Sequence, residues 1–399
     1  MENKNINIAI IGAGLGGLSL AQGLKKNNIS FQIFEKDPAV NSRIQGYRIR
    51  INETGQDALT YCLSEELYQI FTDTCAVHST GVNTLNSQLD ILEDHWVDSW
   101  SDGEQEKLPD LRANRLTMRE VLLSGLDENV HFNKEFVCYE ELPDGKVQVH
   151  FKDGTSYQAD LVVAADGINS RLSMLKFPGQ KLEDTGNINV YGKTYYSAIA
   201  KEQIAKILQL GTSVIFEEEM AVIIDAMQFK GSALQAIKQN HLFNISHTED
   251  YIYWSFIGNR ERFGLKKDQN LMMSKEDILN CVGEVTKSWA SSLKVLFGLV
   301  EPATLSITPV RTSIPKEKWI SNKITVLGDA IHAMSPAGGL GANTALHDAF
   351  LLTSCLSEAA GKGTNILGTV ANYEEKMRKH SSASILSSNS GGATLYNKE

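Results

Sequence analysis

The chain has 399 residues and a net charge of −10. At roughly 150 residues per domain it is long enough for two or three domains, and it is too acidic to hold nucleic acid or anionic lipid by charge. With 42% hydrophobic and 22% charged residues it has the composition of a globular protein with a large core, which excludes a disordered or fibrous chain. The five cysteines, Cys62, Cys75, Cys138, Cys281 and Cys355, have no metal-ligand spacing, and their odd number does not suit a disulfide framework. They read as reduced thiols of a cytoplasmic protein. The start, MENKNINIAI, lacks a basic segment before an apolar one, and glycines break the apolar run 6–24, so no stable membrane insertion is expected.

Residues 6–11 form an apolar run of buried-strand length, followed by Gly12-Ala13-Gly14-Leu15-Gly16-Gly17 and a helical pattern to about residue 26. A second apolar run, 31–34, ends at Glu35-Lys36. This is a β-α-β unit with tight connections, the opening of a parallel sheet. Arg48 and Arg50 alternate with Ile49 and Ile51, which places both arginines on one strand face, either solvated or offered to an anion. Residues 146–151 alternate and meet Asp153-Gly154, a hairpin signal. The apolar run 161–165 leads into Asp166-Gly167. Between about 185 and 315 the pattern is β-rich, with runs at 188–196, 213–216, 221–228 and 251–258 and a helix expected over 275–296. A final apolar strand, 323–327, runs into Gly328-Asp329, and a helix is expected over 341–356. The tail SSASILSSNSGGA is expected to be poorly ordered.

These elements predict an α/β protein: a Rossmann-like cofactor-binding domain carries an inserted α+β substrate domain dominated by an antiparallel sheet. The expected boundaries are 1–75, 105–182 and 318–399 for the first, and 76–104 with 183–317 for the second.

Three motifs carry chemistry. Gly12, Gly14 and Gly17 fit G-x-G-x-x-G after a strand and before a helix. The first glycine makes the turn, the second admits a pyrophosphate, and the third lets helix and strand pack. Glu35 ends the next strand, where a carboxylate binds an adenosine ribose and repels a 2′-phosphate, so this turn suits FAD or NAD, not NADP. Asp166-Gly167 ends a second strand and is by itself only a turn. Gly328-Asp329 ends a third, and Gly338, Gly339, Gly341, Ala342 and Asn343 open the following helix. A carboxylate at a buried strand tip needs a partner. Ribityl hydroxyls would suit Asp329, and the helix start suits a flavin edge that gains negative charge.

Together GAGLGG, NRLTMREVLL, ADGINSR and GDAIHAMSPAGGLGANTALHDA resemble the group A flavoprotein monooxygenases, the para-hydroxybenzoate hydroxylase-like family. The stretch RIQGYRIRINETGQDAL is also similar to the tetracycline-inactivating branch. The resemblance implies a GR2-type FAD-binding domain, a parallel sheet plus a three-stranded meander. It implies bound FAD, transient NADPH or NADH, and oxygen transfer from O2 through a flavin C4a-hydroperoxide to an aromatic or polyketide-like small molecule. It places Gly12, Gly14, Leu15, Gly16, Gly17, Glu35, Lys36, Arg43, Arg115, Asp166, Asp329, Gly339, Gly341, Ala342 and Asn343 at the FAD. Pro336 would lie against the flavin face where oxygen reacts, and His332, four residues earlier, is either a catalytic group or a packed support of the loop. Tyr191, Tyr195, Tyr196, Phe216, Met220, Met227 and Trp254 are candidates for an aromatic pocket or for sheet packing. The Trp-x-Trp-x-Ile-Pro signature of flavin halogenases is absent. A monomer or weak dimer is expected, with no metal and no nucleic-acid partner. The alternatives are a flavin-dependent reductase of isoprenoid-like double bonds and a redox-silent FAD protein that sequesters a ligand.

Overall fold

The computed structural model describes residues 6–42, 47–78, 81–92, 109–231, 245–267, 269–362 and 365–396. A five-stranded parallel sheet has the order Ile324–Val326, Leu161–Ala164, Asn7–Ile11, Ser30–Phe34, Val130–His131. Its central strands are buried, with the helix Leu15–Lys26 and the strand Ser156–Ala159 both packed against them. The helix Leu15–Lys26 packs on the long helix Gly341–Lys362. That approach is close: a Cβ on Gly23 would meet the Thr353 side chain at 2.5 Å. A three-stranded meander, Phe136–Glu141, Val147–Phe151 and Ser156–Ala159, lies beside the sheet. The pair Arg48–Ile51 and Leu111–Asn114 lies apart from it.

The second sheet has six strands in the order Ser306–Ser313, Leu182–Tyr195, Tyr251–Asn259, Met220–Met227, Thr212–Glu217, Val82–Leu85. All neighbours are antiparallel except the last pair. Alternation divides its residues between two faces. One face buries Ile188, Val190, Ile224, Trp254 and Phe256 in a core shared with the helices Lys275–Val285 and Ser291–Gly298. The other face presents Tyr191, Tyr195, Tyr251 and Tyr253, and Tyr47 of the first lobe packs among them. The turn Pro336–Gly338 rests on the same face, with Ala337 against Val214 and Ala221.

Two sequence expectations fail. The helix expected over 275–296 is two helices. Thr286 Oγ bonds back to Val282 O, Ala290 N donates to Ser87 O, and Trp289 turns inward to stack at 5.9 Å from Phe256. The Ser/Gly-rich tail is ordered within the helix Ile366–Tyr396. Tyr373, Met377, Ser381, Ile385 and Ser388 form a buried stripe at helical spacing. Serine hydroxyls off the stripe bond the helix's own carbonyls, and Ser388 Oγ donates to Ser335 O at 2.8 Å. Among the described residues no helix is long and apolar enough to cross a membrane.

Candidate functional site: three loops at one sheet edge

Three neighbouring parallel strands end together. Ile11 pairs with Ala164, and Ala164 with Val326. The loops that follow, GAGLGG, ADGINSR and GDAIHAMSP, therefore emerge side by side at the carboxyl edge of the sheet. This edge is where open α/β sheets bind ligands.

The first loop turns at Gly12, whose φ of +109° excludes a side chain. A Cβ on Gly12 would lie 2.8 Å from Asp166 Cα, so the first two loops touch. Gly17 packs against the Gly12 carbonyl, and Gly16 against Leu327 and Ala345. Gly14 differs: the nearest atom to a Cβ there is 4.0 Å away. It is also the N-cap of the helix Leu15–Lys26 and gives no side-chain cap. Those first-turn amides and the open backbone fit a pyrophosphate.

Glu35 is buried and already bonded. One oxygen accepts from Ala13 N at 2.8 Å, the other from Asp37 N at 2.9 Å, and Arg119 lies 3.4 Å away. Arg119 also donates to Ala13 O and Val40 O. The pair braces the glycine turn, and the remaining lone pairs of Glu35 leave capacity for a ribose. The motif reading did not single out Arg119. Lys36 is exposed, and Arg43 lies outside the described residues.

Asp166 Oδ2 accepts from Arg171 N at 3.1 Å, while Oδ1 is buried with no partner among the described residues. Burial raises this carboxyl above its ordinary value, against the hydrogen bonds of its own loop. A buried acceptor without a donor is what a loop built around a hydroxylated ligand leaves.

Gly328, at φ +64°, turns the third strand into the short helix Asp329–His332. Asp329 is solvent-accessible and lines a cavity of about 340 Å³, bordered also by Asn169, Ser170, Arg311 and Ala330. It lies deep among protein atoms, and that desolvation raises its carboxyl, opposed by His332 and Arg115. A Cβ on Gly341 would be 3.9 Å from Asp329 Oδ1, so the carboxylate faces the start of the long helix. Ala342 is half-buried beside it, and Pro336 is exposed. Arg115 begins the helix Arg115–Leu123 and lies over Tyr47, 5.4 Å from the ring centre.

Several expected site residues have other duties. Asn343 is 3% exposed; it accepts from Asn52 N and donates to Arg50 O and Gly339 O, each at 3.0 Å, so it staples the long helix to the strand Arg48–Ile51. Gly338 packs against Ser388 and leaves no open backbone. His332 is 1% exposed, with Nε2 2.5 Å from Asp348 Oδ2, and Asp348 also takes Gly328 N–H. It supports the loop from behind. Arg48 and Arg50 form no solvated face: Arg48 bonds Asp225 at 2.6 Å and Arg50 bonds Asp110. Of the aromatic candidates, Tyr191, Tyr195, Phe216 and Met227 lie toward the first lobe, whereas Met220, Trp254 and Tyr196 pack in the rear core. Asp225 went unread, although one carboxylate in the apolar run Met220–Met227 was a usable signal.

Comparison with known proteins agrees with this geometry. A model of the FAD binding domain matches residues 101–386, and one of an NAD(P)-binding Rossmann-like domain matches 10–73. The dual O-methyltransferase/FAD-dependent monooxygenase CTB3 of Cercospora beticola is 30% identical over 98% of this chain and 46% of its own length. The chain thus spans about half the length of the curated relatives it matches. A protein of Photorhabdus luminescens subsp. laumondii, named as an FAD-containing monooxygenase, superposes with a TM-score of 0.81 at 27% identity, covering 98% of both chains. The tetracycline destructase Tet(51) has a TM-score of 0.68 at 17% identity over 99% of this chain and 92% of that one, a likeness of fold. With the first model spanning most of its length, the chain belongs to the FAD-binding-domain family of flavoproteins, whose group A monooxygenase branch its motifs resemble.

Proposed function

We propose that the protein is an FAD-dependent, NAD(P)H-consuming monooxygenase that hydroxylates an aromatic or polyketide-like small molecule with O2. The observation that carries this reading is the convergence of the three loops, with an open Gly14, an orphaned Asp166 oxygen and an accessible Asp329 at one edge. The Cercospora and Photorhabdus relatives support it.

In this reading Gly14 and the amides of Leu15, Gly16 and Gly17 receive the pyrophosphate, and Glu35 takes the adenosine ribose. Asp166 and Asp329 hold hydroxyls between the two ends. Gly339, Gly341 and Ala342 present backbone to the flavin, and the dipole of the long helix favours negative charge there. Bound FAD supplies the redox chemistry that activates oxygen. Ala337 seats the loop on the tyrosine-bearing sheet face, and substrate binds on that face beside Pro336, shielded from water. His332 acts through Asp348 as a positioning residue. Arg115, with Tyr47, borders the space between Asp329 and the sheet.

We assign 1–75, 105–182 and 318–399 to FAD binding and 76–104 with 183–317 to substrate binding. The five unpaired cysteines support a cytoplasmic location, and we take the enzyme to act as a monomer or weak dimer. The test is FAD-loaded protein with NADPH or NADH under labelled oxygen and a panel of phenols and polycyclic enols. Label in a hydroxylated product is expected. Substrate turnover without oxygen, or no NAD(P)H oxidation with any panel member, would overturn the reading.

A further inference from the structure

Lys193 stands on the strand Leu182–Tyr195, on the sheet face that carries Tyr191, Tyr195, Tyr251 and Tyr253. It is 8% exposed. Other buried cations here have a carboxylate: Arg48 and Arg112 share Asp225, Arg50 has Asp110, and Arg260 has Asp184. Lys193 has none. Among the described residues no oxygen accepts from its ammonium, which lies over the Tyr251 ring, 4.2 Å from Nζ to the ring centre. That ring is held by Asn114 Nδ2, 3.1 Å from the Tyr251 hydroxyl. Burial, with no opposing charge, pulls the amine down to about 8. A lysine this buried is rare without a partner, and a cation over an aromatic face offsets only part of its lost hydration.

Its surroundings connect it to the flavin loops. Two residues along the strand, Tyr191 meets Tyr47 edge-on at 5.5 Å between ring centres. Tyr47 in turn carries the Arg115 guanidinium, whose charge reaches both Tyr191 and Asp329. A series of contacts, Arg115 on Tyr47, Tyr47 on Tyr191, thus leads from the charge beside Asp329 to the strand that carries Lys193. We propose that Lys193 is the anion-anchoring residue of the substrate site, and that the substrate is a polycyclic aromatic bearing an ionised phenolic or enolic oxygen that pairs with this ammonium. The inference rests on the monooxygenase reading for the word substrate. It involves no bond making: the anion supplies the missing partner, and the tyrosine rings take the aromatic body.

The test is equilibrium binding to FAD-supplemented protein of 4-nitro-1-naphthol, an anion at neutral pH, against its neutral methyl ether. The wild type should bind the naphtholate at least about tenfold tighter than the ether, as one charge-assisted hydrogen bond allows. Lys193→Met should erase that preference while leaving ether affinity and FAD content unchanged, and Lys193→Arg should keep part of it. A wild type that binds neither probe, or both equally, overturns the proposal, as does a Lys193→Met variant that keeps the preference. Should the methionine variant not fold, the wild-type ratio and the arginine variant decide. The measurement needs neither NAD(P)H nor oxygen. Intact discrimination with failed hydroxylation would therefore sink the activity and spare the anion site.

Discussion

Replacing Asp225 with asparagine should loosen the join between the two sheets. Its carboxylate is 0% exposed and bonds Arg48 at one oxygen and Arg112 at the other. Both arginines come from the two-stranded pair of the first lobe, while Asp225 lies in the six-stranded sheet. The variant leaves two buried guanidinium groups without an anion. Breaking a buried pair from one side costs ~3–5 kcal/mol. Arg112 keeps its bonds to Ala226 O and Val77 O, and asparagine keeps one carbonyl, so the lower end applies. At roughly 2–4 °C per kcal/mol for domains of this size, ~3 kcal/mol lowers the melting temperature by about 6–12 °C. Differential scanning calorimetry reads this directly. The triple variant R48M/R112M/D225L should recover most of the loss, because the cost lies in uncompensated charge and not in lost attraction. A single variant melting within about 2 °C of wild type, or a triple variant no better than the single, would refute the argument.

The glycine turn separates packing from ligand approach. Gly17→Ala forces a methyl onto the Gly12 carbonyl and should cost ~1–3 kcal/mol along with FAD retention. Gly14→Ala should melt like the wild type yet bind FAD about tenfold more weakly, and equal behaviour of the two variants would contradict the assignment. For His332, burial lowers the imidazole, but the charge and hydrogen bond of Asp348, with Asp329, outweigh it and leave it raised. Its contribution to stability is therefore full below the unfolded value of about 6.5 and is lost as pH rises through the raised folded value. Urea midpoints at about pH 6 and about pH 9 should differ less in His332→Asn than in wild type, and an unchanged difference would remove this role.

Three strands of the parallel sheet were legible because they are continuous apolar runs, each ending in a glycine-bearing loop, whereas the two-residue strand Val130–His131 carries no such signal. Strand ends moved by only a residue or so: 161–165 became Leu161–Ala164 and 323–327 became Ile324–Val326. Partners far apart in the chain were not legible. Arg48 finds Asp225 across 177 residues and the Asn343 side chain finds Arg50 across 293, so neither the ion pair, which fits neither a solvated face nor an open anion site, nor the staple was readable from local sequence. The tail was misread because serine composition signals disorder only when the hydroxyls lack partners. Here the helix supplies its own carbonyls, and Ser388 reaches the loop at Ser335. Lys193 carries no local signal: a lysine among tyrosines on a strand becomes informative only once its burial is known.

The central claim is that one FAD spans from the helix start at Gly14 to Asp329 and the start of the helix Gly341–Lys362. Titration of purified protein with FAD, followed by flavin fluorescence and absorbance, tests it most directly when wild type is set beside Asp329→Ala. The expected result is one FAD per chain in the wild type and clearly lower occupancy in the variant, with both proteins folded by circular dichroism. A wild type that stays colourless after incubation with FAD, or a variant that holds FAD as tightly as the wild type, would contradict it.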